Sequence, residues 1–207
     1  MRHTLLTIAP ILILTSFATE ASAAILGTFG DVREVDAPSS VLPGDFTNNR
    51  RARIFFESVQ TLESRQAVDI NTPGLYTSAD TFPQGFVKKG VQVASYYLMS
   101  DPGSGSHNYV GGVVFDQEIL GIIVKSARLN NTQYLAAPGT LYPSTGRALD
   151  FPSDTLIFND LHTLVIDWRT SSAQDSIRIL VATPEPGTMI LMGAALMVLP
   201  LVRRRLS

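Results

Sequence analysis

The chain has 207 residues, 45% of them apolar and 16% charged, with a formal charge of -2, which suits one ordinary globular domain plus additional segments. Between Ala24 and Thr183 there are 12 Lys or Arg against 16 Asp or Glu and no basic stripe, so nucleic acid is not an expected partner. The absence of cysteine removes disulfides, thiolate metal sites and a cysteine nucleophile, and leaves the compartment to be read from targeting segments.

The first such segment is N-terminal. Arg2 supplies a positive start, "LLTIAPILILTSF" from Leu5 to Phe17 is an apolar run, and Ala21 and Ala23 in "ASA" are the small residues that signal peptidase needs. This three-part order predicts a secretory signal over residues 1–23, helical in its apolar part and cut after Ala23. An uncleaved anchor or a buried helix fits less well, because the run is short and Pro10 interrupts it.

Residues 24–182 read as β. "RARIFFESVQTL", "GVQVASYYLM", "GGVVFD", "EILGIIVK", "DTLIF", "HTLVIDW" and "DSIRILV" are short runs rich in Val, Ile and aromatics. In the last of these, Ile177, Ile179 and Val181 fall on one face and Ser176, Arg178 and Leu180 on the other. The intervening "APSSVLPGD", "NTPGLYTSADTFPQG", "SDPGSGSHN", "AAPGTLYPSTG" and "TSSAQ" carry turn chemistry, with Pro38 and Pro43 marking an early turn. "NNTQYLAA" near Asn130 is the one stretch that fits a helical turn. Many short strands without a repeat or an internal linker predict an all-β fold, a single β-sandwich or jelly-roll-like domain.

From Thr188 to Val202 the chain is uncharged for about 15 residues, and at ~1.5 Å per residue a helix there spans about 22 Å, short of a ~30 Å hydrocarbon core. Arg203, Arg204 and Arg205 follow, and the positive-inside rule holds them in the cytoplasm as a stop-transfer cluster, leaving the body on the far side. A soluble amphipathic helix is a poor reading of a run that is apolar all round. Just before it, Pro184 and Pro186 cannot donate to a sheet, and each drives the residue before it toward an extended backbone. The result is a stiff stub carrying the Glu185 carboxylate.

Pro184, Glu185 and Pro186, then a short apolar run, then terminal arginines resemble the PEP-CTERM sorting signal of exported bacterial proteins, over residues 183–207. The resemblance implies recognition by exosortase, a membrane-embedded transpeptidase-like enzyme, after an inner-membrane intermediate held by the C-terminal transmembrane helix. It also implies removal of the tail, delivery to the cell surface or extracellular matrix, a Gram-negative type envelope, and association with exopolysaccharide or biofilm gene sets. The body, through "SYYLMSDPG", "GGVVFDQEILGIIV" and "DSIRIL", loosely resembles an uncharacterised β-rich domain of exported proteins, which implies no activity.

The body's own chemistry is sparse. His107 and His162 lack the spacing of a metal motif, and "GSGSH" is not G-x-S-x-G, so His107 reads as a polar loop residue and His162 as a strand-edge one. Aspartates recur beside turns, where they bond the local backbone; a loop-built calcium site stays open, but no D-x-[DN]-x-[DN]-G run is present. No cofactor or metal is expected. Glu57 with Glu118 is an example of a carboxylate pair for glycoside hydrolysis. Trp168 reads as core. Of Tyr96 and Tyr97, adjacent in a strand, one must point inward and one outward; the outward ring, with Tyr109 in its loop, is a candidate sugar-binding face. Three functions stand: a non-catalytic structural or adhesive surface protein that touches polysaccharide, a lectin-like module, and a hydrolase of envelope polymers.

Overall fold

The computed structural model describes residues 23–145, 148–171 and 174–184. In chain order these hold β1 (Ile25–Gly30), β2 (Val32–Glu34), β3 (Ala52–Thr61), β4 (Gln66–Val68), β5 (Gly74–Tyr76), β6 (Gly85–Val87), β7 (Gln92–Ser100), β8 (His107–Phe115), β9 (Ile119–Ile123), helix α1 (Ser126–Asn131), β10 (Thr155–Asp160), β11 (Thr163–Thr170) and β12 (Asp175–Ala182). The predicted runs all fall on strands. The helical turn expected near Asn130 is α1, followed at once by a 3₁₀ turn over Gln133–Leu135. Among the described residues no helix is long and apolar enough to cross a membrane. The predicted signal segment, apart from Ala23, and the apolar run 188–202 lie outside the described residues.

The strands form two five-stranded sheets, ordered β1-β8-β11-β10-β5 and β2-β3-β7-β12-β9, with β4 and β6 as a separate pair. Only β2 with β3 is parallel; every other strand pair is antiparallel. The chain passes from the first sheet to the second between β1 and β2. Gly30 makes this possible: its φ is +62°, and a Cβ there would sit 2.3 Å from the Val110 carbonyl oxygen. Asp31 then bonds both layers, donating its amide to Val110 in the first sheet and accepting that of Ala52 in the second.

Side-chain alternation explains how the layers meet. Tyr109, Val113, Leu164, Ile166 and Trp168 of the first sheet share one core with Ile54, Tyr96, Leu98, Ile177 and Ile179 of the second. The other face of the second sheet is covered too. Phe55, Tyr97 and Leu180 pack there with Leu129 and Leu135 from the α1 segment and with Val68 and Val87 from the small pair. A central strand with both faces covered is largely apolar, which is why β7 contains "VASYYLM" and is buried from Val93 to Ser100, with its serines Ser95 and Ser100 hydrogen-bonded to Glu57 and Thr170. The first sheet differs, since its outer face leaves Phe29, Leu75 and Val110 exposed.

The alternation predicted for β12 is present. Ile177, Ile179 and Val181 enter the shared core, while Ser176, Arg178 and Leu180 take the other face. That other face is not solvent, and Arg178 is fully buried on it.

Candidate functional site

The tail motif is joined directly to the middle of the second sheet. β12 has β7 on one side and β9 on the other, and its last residue, Ala182, pairs with Val93. Thr183 is still held: its Oγ1 donates to the Gln92 carbonyl at 3.1 Å and bonds the Gln92 side-chain oxygen at 2.9 Å. Pro184 follows with no linker, and proline's missing N–H ends the ladder there. Glu185, Pro186 and Arg203 to Arg205 lie outside the described residues, as does Ala21.

The other end of the body leaves from the same turn. In the turn between β8 and β9, the Asp116 Oδ1 accepts the Ala24 amide at 2.7 Å and the Glu118 carbonyl accepts the Ala182 amide at 2.8 Å. Ala23 is 3% exposed, and the Tyr96 hydroxyl donates to its carbonyl. Two residues apart on one turn, Asp116 and Glu118 therefore bring the N-terminal and C-terminal ends of the body to a common end.

Both tyrosines of the β7 pair are buried, contrary to the binding-face expectation. Their rings do point to opposite faces, but each face is a core: Tyr96 packs against Phe115 between the sheets, and Tyr97 against Phe55 and Tyr142 beneath the α1 segment. Tyr109 is in strand β8 rather than a loop and is also buried, its hydroxyl donating to the Asn48 carbonyl at 2.7 Å. Burial, with the charge of Asp101, pushes its phenol up to about 12. These three rings offer no face to a sugar.

Glu57 is not free for acid or base work. Its two carboxylate oxygens take Arg178 Nε at 2.6 Å and Nη2 at 2.7 Å, and the Ser95 hydroxyl adds a third bond at 2.6 Å. Arg178 Nη1 continues to the Thr132 carbonyl and hydroxyl, both at 2.7 Å. Burial alone would lower the guanidinium's pKa, but the charge and hydrogen bonds of Glu57 outweigh it and raise the value. Glu118 is exposed on its turn, so it shares neither the burial nor the partners of Glu57.

His107 opens β8, with Nε2 2.7 Å from the Ser104 carbonyl oxygen, so it is a strand residue rather than a loop one. His162 sits in the turn before β11, as expected of a strand-edge position. Among the described residues no three of His, Asp and Glu are grouped to hold a metal ion. Trp168 is fully buried.

Two constellations had no usable signal in sequence. Asp69, fully buried, accepts the amides of Val124 and Lys125 at 2.8 and 3.0 Å and pairs with Arg128. At the far end of the body, Asp175 is buried beside Thr170, whose hydroxyl lies 2.6 Å from that of Ser100. The Asp175 Oδ1 has no hydrogen-bond partner among the described residues. Burial, aided by the charge of Asp154, pushes its carboxyl up to about 7.

No curated protein and no solved structure matches the chain. A family model does match its end: the PEP-CTERM protein-sorting motif, over residues 182–205. The match begins on Ala182, the last residue of β12, and contains Pro184, Glu185, Pro186 and the arginine cluster. The chain carries a PEP-CTERM protein-sorting motif that begins on its last strand, and that motif is consistent with an exosortase substrate and implies export to the cell surface or beyond.

Proposed function

We propose that this is an exported surface or extracellular-matrix protein whose body is a non-catalytic β-sandwich with a structural or adhesive role, in contact with exopolysaccharide or other biofilm material. Signal peptidase cuts after Ala23. The apolar run 188–202 then holds the chain in the inner membrane until exosortase removes the tail. The observation that carries this reading is the sorting motif starting at Ala182. Departure of both ends from the Asp116–Glu118 turn supports it, since two segments bound for one membrane need a common exit. The glycan-binding alternative loses the three tyrosines it leaned on, and the hydrolytic alternative loses Glu57.

The test is replacement of Pro184, Glu185 and Pro186 together by alanine, expressed in a host that has exosortase. The expected product is exported, has lost its signal, and stays in the membrane at full tail length. Release at the wild-type mature mass overturns the sorting assignment. Mass spectrometry of both ends of the wild-type protein fixes the two cuts.

A further inference from the structure

Beside the chain's exit from the body lies a surface that the packing of the sheets does not account for. Extending the β12–β7 register by two positions places Pro184 opposite Val91. Val91, with Phe86, Val87, Lys88 and Leu120, lines a shallow depression of about 220 Å³. Phe86 is 52% exposed, and the Arg65 guanidinium lies over its ring at 3.9 Å from the centroid. Lys88 and Lys89 are exposed on the same turn. Three cations and an aromatic ring lie on this face of a body that is acidic overall, and Glu63, Asp116 and Glu118 are carboxylates on the adjoining turns, with Asp116 held by the Ala24 amide.

We propose that this face rests on an anionic phospholipid surface while the tail is still attached, which deepens the anchoring step of the reading above and rests on it. The tether keeps this face within reach of the membrane. Four residue steps separate Pro184 from Thr188, where the apolar run begins, and at ~3.5 Å each they extend to about 14 Å at most. Headgroups occupy about 5–7 Å of that on each side of the hydrocarbon. The exit end of the body is therefore confined to the layer where an exposed aromatic ring and Lys or Arg side chains find their best partners. Docked on lipid, Phe86 and the depression bury apolar surface, and Arg65, Lys88 and Lys89 meet phosphate. The contact gives the exit end of the body a fixed orientation toward the membrane.

The chain has no cysteine, so single labels are unambiguous. The full chain carrying Ser64→Cys beside the patch, or Ser104→Cys on the loop at the far end, is labelled with a fluorophore and reconstituted into vesicles containing brominated lipid. We expect the label at 64 to be quenched in phosphatidylglycerol-containing vesicles and not in pure phosphatidylcholine, and the label at 104 to be quenched in neither. Combining Arg65→Glu, Lys88→Glu and Lys89→Glu should lower the docked-to-undocked ratio at least about 100-fold, taking each lost cation as about fivefold before the repulsion of the new carboxylates, while the chain still floats with the vesicles. A floating chain whose label at 64 is unquenched, or is indifferent to charge reversal, overturns the proposal but not the anchoring. Shielding at 64 only when exosortase is co-reconstituted assigns the face to the enzyme and overturns it as well. A chain that does not float sinks both readings.

Discussion

Arg178 and Glu57 meet across an intervening strand: β7 separates β12 from β3, and the ion pair spans it over Ser95, whose hydroxyl also binds the carboxylate. A bulge sits at Glu57. The β3–β7 register slips between Phe56 and Ser58, so Glu57 has no partner residue in the ladder, and its side chain lies on the same outer face as that of Phe55. The pair then ties three strands to the backbone of the α1 segment through Thr132.

Truncating one member should therefore cost far more than truncating both. Arg178→Met or Glu57→Gln alone leaves a buried group without its counter-charge, a loss of about 3–5 kcal/mol. The double variant Glu57→Leu with Arg178→Met should recover most of that. Chemical denaturation of the three proteins measures it, and additive losses would contradict the pairing.

Asp175 makes stability depend on pH. Its folded carboxyl is raised to about 7, against about 3.9 for a free aspartate. Protonation therefore favours the folded state: the contribution is complete below about pH 4 and is lost as pH rises through about 7. At most about 1.4 kcal/mol per pH unit is at stake from this one group. Asp154, raised in the same direction by burial, adds to the trend. Asp175→Asn should flatten the melting profile between pH 5 and 8 relative to wild type, and should melt higher than wild type at about pH 8. Identical profiles for the two proteins would remove Asp175 as the cause.

Gly30 is fixed by its surroundings. Gly30→Ala meets both a positive φ and the Val110 carbonyl, and both the β1 and β2 pairings depend on that corner. A loss of about 2–4 kcal/mol is expected from strain and displaced backbone. Gly44→Ala, at a positive φ but with nothing within 4 Å of the added Cβ, should carry the backbone strain alone, about 1–2 kcal/mol.

Asp116→Ala tests the holding of the mature N-terminus. A cut after Ala23 converts the amide at Ala24 into an ammonium that faces the Asp116 carboxylate, and an exposed charge pair of this kind contributes about 0.2–1 kcal/mol. The processed variant should melt about 1–4 °C lower than the processed wild type, and the gap should narrow at high salt.

Much of the body was legible because strand chemistry is local. The runs around Ile54, Tyr96, Val113 and Ile179 carry their own β propensity, and the turns between them carry Gly, Pro and Asp. The alternation in β12 gave the right faces for Ile177 and Arg178. What alternation cannot say is whether the second face is wet. Tyr97 and Arg178 look outward by parity, yet the α1 segment, from a distant part of the chain, lies over them. The Glu57 bulge was equally hidden, since a one-residue slip leaves no mark on composition. The sorting motif was readable because its parts are consecutive, whereas the exit face at Phe86, Val91 and Leu120 is assembled from three strand regions.

The direct splice of the tail onto β12 also decides how the finished protein bears load. Should the trimmed C-terminus be tied to the envelope, any pull on the body enters along a strand bonded on both flanks, so the ladders to β7 and β9 are strained in shear together rather than peeled one bond at a time. A domain mounted in this way is mechanically strongest along the axis by which it is held.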